Sequence, residues 1–126
     1  MTPATRRVLI VDDDEESSEL LEALIGQRGH AVRVAHNVDE ALRVAREFEP
    51  EVALLDIMLR CESGYYLARE LRDLPNLAAC RMVAITGFVQ EQHRKASRAA
   101  GFQGHLTKPI DQVALFDALE ANDAAE

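Results

Sequence analysis

Basic residues are scarce in this sequence: 14 Lys plus Arg face 22 Asp plus Glu, leaving a formal net charge of −8 and a pI near 5.0. A surface of that sign is repelled by phosphate backbones and anionic lipid, so neither nucleic acid nor a membrane is expected as a partner. Long apolar runs are missing as well. None approaches the ~18 residues of a membrane span, and the apolar stretch near the N-terminus runs straight into Asp12, Asp13 and Asp14, unlike a secretory leader. We expect a cytoplasmic protein. Cysteine is limited to Cys61 and Cys80, which lack metal-ligand spacing; both are expected to be free thiols without a chemical role. Internal repeats, low-complexity tracts and linkers are absent ahead of the acidic tail at 121–126.

What remains is ordinary globular material, 48% apolar and 29% charged over 126 residues. That length corresponds to one domain. We expect a single unit over residues 1–126, with a core at about 7–119 and no output module in the same polypeptide. Short apolar runs recur at Val8 to Val11, Val32 to Ala35, Val52 to Leu55, Met82 to Ile85 and, more weakly, His105 to Thr107. Each is followed by a helix-like pattern, and alternating strands and helices argue an α/β fold with a parallel sheet covered on both faces. The nearly all-apolar runs at Val8 to Val11 and Val52 to Leu55 suit central strands, whereas Val32-Arg33-Val34 alternates like an edge strand.

Five helices are predicted. The first carries Leu20, Leu21, Leu24 and Ile25 on one face and stops near Gly29, while the second uses Val38, Ala41, Leu42 and Ala45 and stops before Pro50. A third runs from Gly64 to Leu74 on Leu67, Ala68, Leu71 and Leu74, ending at Pro75. The fifth uses Leu115, Phe116 and Leu119. A fourth, around 90–100, would bury mainly Ala96, Ala99 and Ala100, so it should be the most weakly held and the most mobile.

Carboxylates collect where ligands bind in such folds. Asp12, Asp13 and Asp14 follow the first strand and Asp56 follows the third, at strand ends that face the ligand crevice of an open α/β sheet. If those strands are neighbours, like charges ~4 Å apart repel by about 4 kcal/mol at an effective dielectric of ~20. Such a cluster requires a cation or a proton. Hard oxygen donors without Cys or His select Mg2+, which shares its shell with waters and phosphate oxygens. Thr86 and Lys108 end the fourth and fifth strands, adding a hydroxyl donor and a point charge suited to a phosphoryl group. Asp56 is the best nucleophile, since a carboxylate can accept a phosphoryl group. Plainer readings compete: Asp14, Glu15 and Glu16 as cap and first-turn charge, Thr86 as a turn hydroxyl, Lys108 as a solvated cation. The chemical reading rests on the ensemble.

The sequence resembles the receiver domain of two-component response regulators over Arg7 to Leu119. The resemblance is carried by Val8-Leu9-Ile10-Val11-Asp12-Asp13, Leu54-Leu55-Asp56-Ile57-Met58-Leu59 with Gly64, Ile85-Thr86-Gly87, Ala100-Gly101-Phe102 and Lys108-Pro109. It implies a flavodoxin-like (βα)5 fold with strand order 2-1-3-4-5. It also implies Asp56 as phosphoacceptor, and Mg2+ held by Asp13, Asp56 and the Met58 carbonyl, with Asp12 acting through water. Thr86 and Lys108 would contact the aspartyl phosphate, and a cis peptide would join Lys108 to Pro109. A histidine kinase or histidine phosphotransfer protein would be the donor, and a protein target would meet the face formed by the fourth helix, fifth strand and fifth helix.

Several positions depart from the family pattern. Arg60 and Ser63 replace the usual proline and aspartate, predicting a looser, less acidic loop. His105 stands at the switch position in place of Tyr or Phe; it either simply packs or swings with Thr86 in a pH-sensitive way. His105 and the segment that follows it also look like receivers working with hybrid histidine kinases. Met58 and Phe88 flank the route of the attacking water, where they either slow self-dephosphorylation or merely pack. The expected function is a phosphoacceptor switch that is not a turnover enzyme. Its rivals are an aspartate-nucleophile phosphohydrolase acting through Asp12 and a phosphate-independent binding module.

Overall fold

The computed structural model describes residues 5–57, 64–77, 79–86, 101–108 and 110–120. Its strands are β1 (Arg7–Val11), β2 (Ala31–Ala35), β3 (Val52–Asp56), β4 (Arg81–Thr86) and β5 (Gly104–Thr107). Its helices are α1 (Glu15–Gln27), α2 (Val38–Phe48), α3 (Gly64–Arg72) and α4 (Gln112–Glu120), with a 3-10 turn at Pro75–Leu77. The helix predicted around 90–100 lies outside the described residues, so α4 is the fifth helix of the sequence reading.

All strand pairs are parallel, in the order β2-β1-β3-β4-β5. This is the flavodoxin-like arrangement. Alternation along the strands builds two cores. Leu9, Val11, Ala53, Leu55, Met82 and Ala84 pack with α2 and α3 on one face, whereas Val8, Ile10, Val52, Leu54, Val83 and Ile85 pack with α1 and α4 on the other. Every residue of β3 is buried, as a central strand covered on both faces must be. Each large aliphatic side chain so buried contributes roughly 1.5–3 kcal/mol.

Local chemistry sets the helix boundaries. Asp14 caps α1 by accepting the Ser17 N–H at 3.3 Å, and Asn37 caps α2 by accepting the Glu40 N–H at 2.9 Å. Past α1 the chain turns at Gly29, whose φ of 91° favours glycine. Two expectations need correction. Leu20 is not on the buried face of α1 but 62% exposed, because Leu21 and Ile25 take the core positions one turn apart. The third helix stops at Arg72, two residues early, and Pro75 opens a separate 3-10 turn that buries Leu77; a missing N–H is tolerated at a first turn.

Candidate functional site

Three backbone hydrogen bonds run one residue beyond the strands and fix the site. The Asp12 N–H donates to Ala35 O at 3.1 Å, the Ile57 N–H to Ile85 O at 3.1 Å, and the Lys108 N–H to Thr86 O at 2.9 Å. Each extends the sheet's ladder past its edge. Because β1 and β3 are neighbours, their terminal carboxylates meet. One oxygen each of Asp12, Asp13 and Asp56 lies within 4.8 Å of the others. Asp12 is 1% exposed and Asp56 5%, while Asp13 is half-buried.

A lysine supplies positive charge to this cluster. Lys108 Nζ donates to Asp56 Oδ2 at 3.1 Å. Burial alone would lower the ammonium's pKa, but the hydrogen bond and charge of Asp56 outweigh it, and the pKa is raised. Asp12 is pushed above the usual carboxylate range, first by burial, with the charge of Asp56 adding to it against the hydrogen bond from Asp14. The Asp14 N–H reaches Asp12 Oδ1 at 2.9 Å, whereas the buried Asp12 Oδ2 has no hydrogen-bond partner among the described residues. A buried acceptor left this way is a natural ligand atom for a cation. The donor set is all hard oxygen. Residues and chemistry thus fit a metal ion of the Mg2+ class.

Thr86 is buried at the end of β4 and pairs with Thr107. His105, half-buried, pairs with Ala84. Ala84 lies in the core shared with α2 and α3 while Leu106 joins the opposite one, so His105 and Thr86 share a face of the sheet. Met58, Phe88, Pro109, Cys61, Arg60 and Ser63 lie outside the described residues, and the roles expected of them do too. Cys80 is a buried free thiol pushed up to about 11 by burial, in keeping with an inert role. Asp14 follows the plainer reading. It caps α1, and its carboxyl is held below its ordinary value by the Ser17 hydroxyl.

One site residue was expected only as part of a motif. A Cβ on Gly64 would lie 2.6 Å from the Asp56 carbonyl oxygen and 2.7 Å from Ile57 Cα, and the Gly64 N–H donates to Ile57 O at 3.0 Å. Only glycine lets the chain at position 64 pass this close to the Asp56 backbone. The sequence signal for it is a weak helix former at the head of an otherwise good helix. Beside the carboxylates, a cavity of about 280 Å3 runs between α1 and α4, with Asp12 and Lys108 at one end and Leu20, Leu21, Leu24 and Leu115 along it.

Known proteins share this arrangement. The family model of the response regulator receiver domain matches residues 8–120. Protein PilH of Pseudomonas aeruginosa is 30% identical over 115 residues, which cover 91% of this chain and 95% of that protein. The crystal structure of a two-component response regulator of the LuxR family from Aurantimonas is 31% identical, with a TM-score of 0.84 over 94% of this chain and 84% of that one. Chemotaxis protein CheY4 of Vibrio cholerae, at 22% identity, shows the same fold with a TM-score of 0.88 over 92% of this chain and 97% of its own. Neither the phosphohydrolase nor the phosphate-independent module is favoured by these similarities. The chain belongs to the response regulator receiver domain family, the phosphoacceptor switches of two-component signalling that take phosphoryl groups from histidine kinases and act on downstream targets.

Proposed function

We propose that Asp56 is the residue that accepts the phosphoryl group. The observation that carries this reading is the Lys108–Asp56 contact inside the acidic cluster. A carboxylate oxygen of Asp56 attacks phosphorus, the P–N bond of a phosphohistidine breaks, and the imidazole leaves with the electron pair. Lys108 then holds the oxygens of the new acyl phosphate, and Thr86, at the adjoining strand end, donates its hydroxyl to one of them. Asp12 and Asp13, with Asp56 and the Met58 carbonyl, would hold Mg2+. Bound there, the ion offsets the charge that builds on the phosphoryl oxygens.

The donor is a histidine kinase or a histidine phosphotransfer protein. Phosphate binds one of two packings better and shifts the population toward it. Movement of Thr86 draws His105, and the face around β5 and α4, with the segment predicted as the fourth helix, meets a protein target. Met58 and Phe88 restrain the water that would hydrolyse the acyl phosphate. The chain acts as a cytoplasmic signalling switch rather than as a turnover enzyme.

Incubation with acetyl phosphate, with and without Mg2+, followed by intact mass and hydroxylamine treatment, tests the reading. One labile, Mg2+-dependent phosphoryl group is expected on the wild-type protein and none on Asp56→Asn. An adduct that persists in Asp56→Asn would overturn it.

A further inference from the structure

The end of the molecule away from the acidic cluster carries a second charged group that phosphoryl chemistry does not use. Glu120 is the last described residue of α4 and lies beside the C-terminus of α1, where partial negative charge already makes a carboxylate unfavourable. The last turn of α1 has no basic residue of its own. The compensation comes from across the fold. Arg28, the C-cap of α1, donates through Nε to Glu120 Oε2 at 3.0 Å and through Nη2 to Oε1, a two-pronged pairing. Its guanidinium lies 4.5 Å from the centroid of the Phe116 ring, one turn back along α4. His30, almost wholly buried, completes the group: its Nδ1 accepts the Arg6 N–H at 2.9 Å and its Nε2 lies 3.1 Å from Glu120 Oε2. A neutral ring with its proton on Nε2 satisfies both contacts, a tautomer assigned from the hydrogen-bond network.

α1 and α4 both leave the end of the sheet that holds the acidic cluster and run side by side, which brings Glu120 to the C-terminus of α1. One guanidinium serves both that helix end and the carboxylate beside it. We propose that Arg28, Glu120 and His30 form a latch that pins α4 at Glu120 to the α1–β2 corner and so sets the width of the cavity between α1 and α4. Without it, the part of α4 around Glu120 opens more readily. The latch does not depend on which residue accepts phosphate.

Amide hydrogen exchange on the full chain tests it, using Arg28→Met, Glu120→Gln and the double variant. Each single change is expected to speed exchange of the amides at 117–120 about tenfold, with the amides of β1 and β3 changing less than twofold. The double variant should exchange no faster than the faster single one, because each partner acts through the other. Three results would overturn the latch: unchanged exchange at 117–120, an equal increase throughout the core, or effects that multiply in the double variant.

Discussion

The α1–α4 pair has charged groups at both ends, and the two ends are built on opposite plans. Near Asp12 and Asp56, carboxylates gather around one ammonium, and a buried carboxylate oxygen has no hydrogen-bond partner among the described residues. Near Glu120, one carboxylate is shared by a guanidinium and an imidazole. The pKa directions record the contrast. Burial and a neighbouring carboxylate raise Asp12, whereas the hydrogen bond from Arg28 lowers Glu120. One end pairs its charges with one another, as an architectural corner does; the other gathers carboxylates whose oxygens fit a metal ion.

Four substitutions break or sharpen that contrast. The largest effect is expected from Lys108→Met, which leaves the acidic cluster without the ammonium on Asp56. Labelling by acetyl phosphate, followed by intact mass, should slow about 100-fold; an unchanged rate would remove Lys108 from the mechanism. Gly64→Ala places a methyl against the Asp56 backbone. It should cost roughly 2–3 kcal/mol in urea unfolding and slow labelling as well.

Asp12→Asn works in the other direction. With a chelator present, removing one repelled charge should raise the midpoint of thermal unfolding by about 4 °C, while Mg2+ should no longer stabilise the protein to the wild-type extent. A lower midpoint would mean that the cluster is not strained. The smallest effect belongs to Glu120→Gln. Because the folded pKa of Glu120 is depressed, its contribution is present above about pH 4.5 and is lost as pH falls through the lower folded value. Wild type minus variant stability, measured by urea titration, should therefore shrink toward zero on acidification. A difference that stays constant would show that charge is not what holds that corner.

How much of this the sequence reveals follows from how far apart the cooperating residues lie. β1 and β3 are legible because strands buried on both faces need unbroken apolar runs; Asp12, Asp56 and Thr86 each directly follow or end such a run, while Lys108 follows a weaker one. Leu20 is misread because four apolar residues in two adjacent pairs make a stripe wider than the face the sheet covers. The early end of α3 is obscured because Leu74 continues the helical spacing and packs on the core from outside the helix. Neither the nearness of Gly64 to Asp56 nor the pairing of Arg28 with Glu120, 92 positions apart, leaves a periodic trace. Such contacts exist only once the sheet has set its register.

The strand order also has a consequence for how the molecule comes into being. Asp12, Asp13 and Asp56 leave the ribosome well before Lys108, whose strand is the last and joins the open edge beside β4 without disturbing an earlier pair. Adding that strand completes the sheet and delivers the ammonium to Asp56 in one event. A nascent chain that has not yet added β5 therefore carries the acids without the ammonium on Asp56. The Lys108–Asp56 contact therefore marks the point at which β5 has joined the sheet.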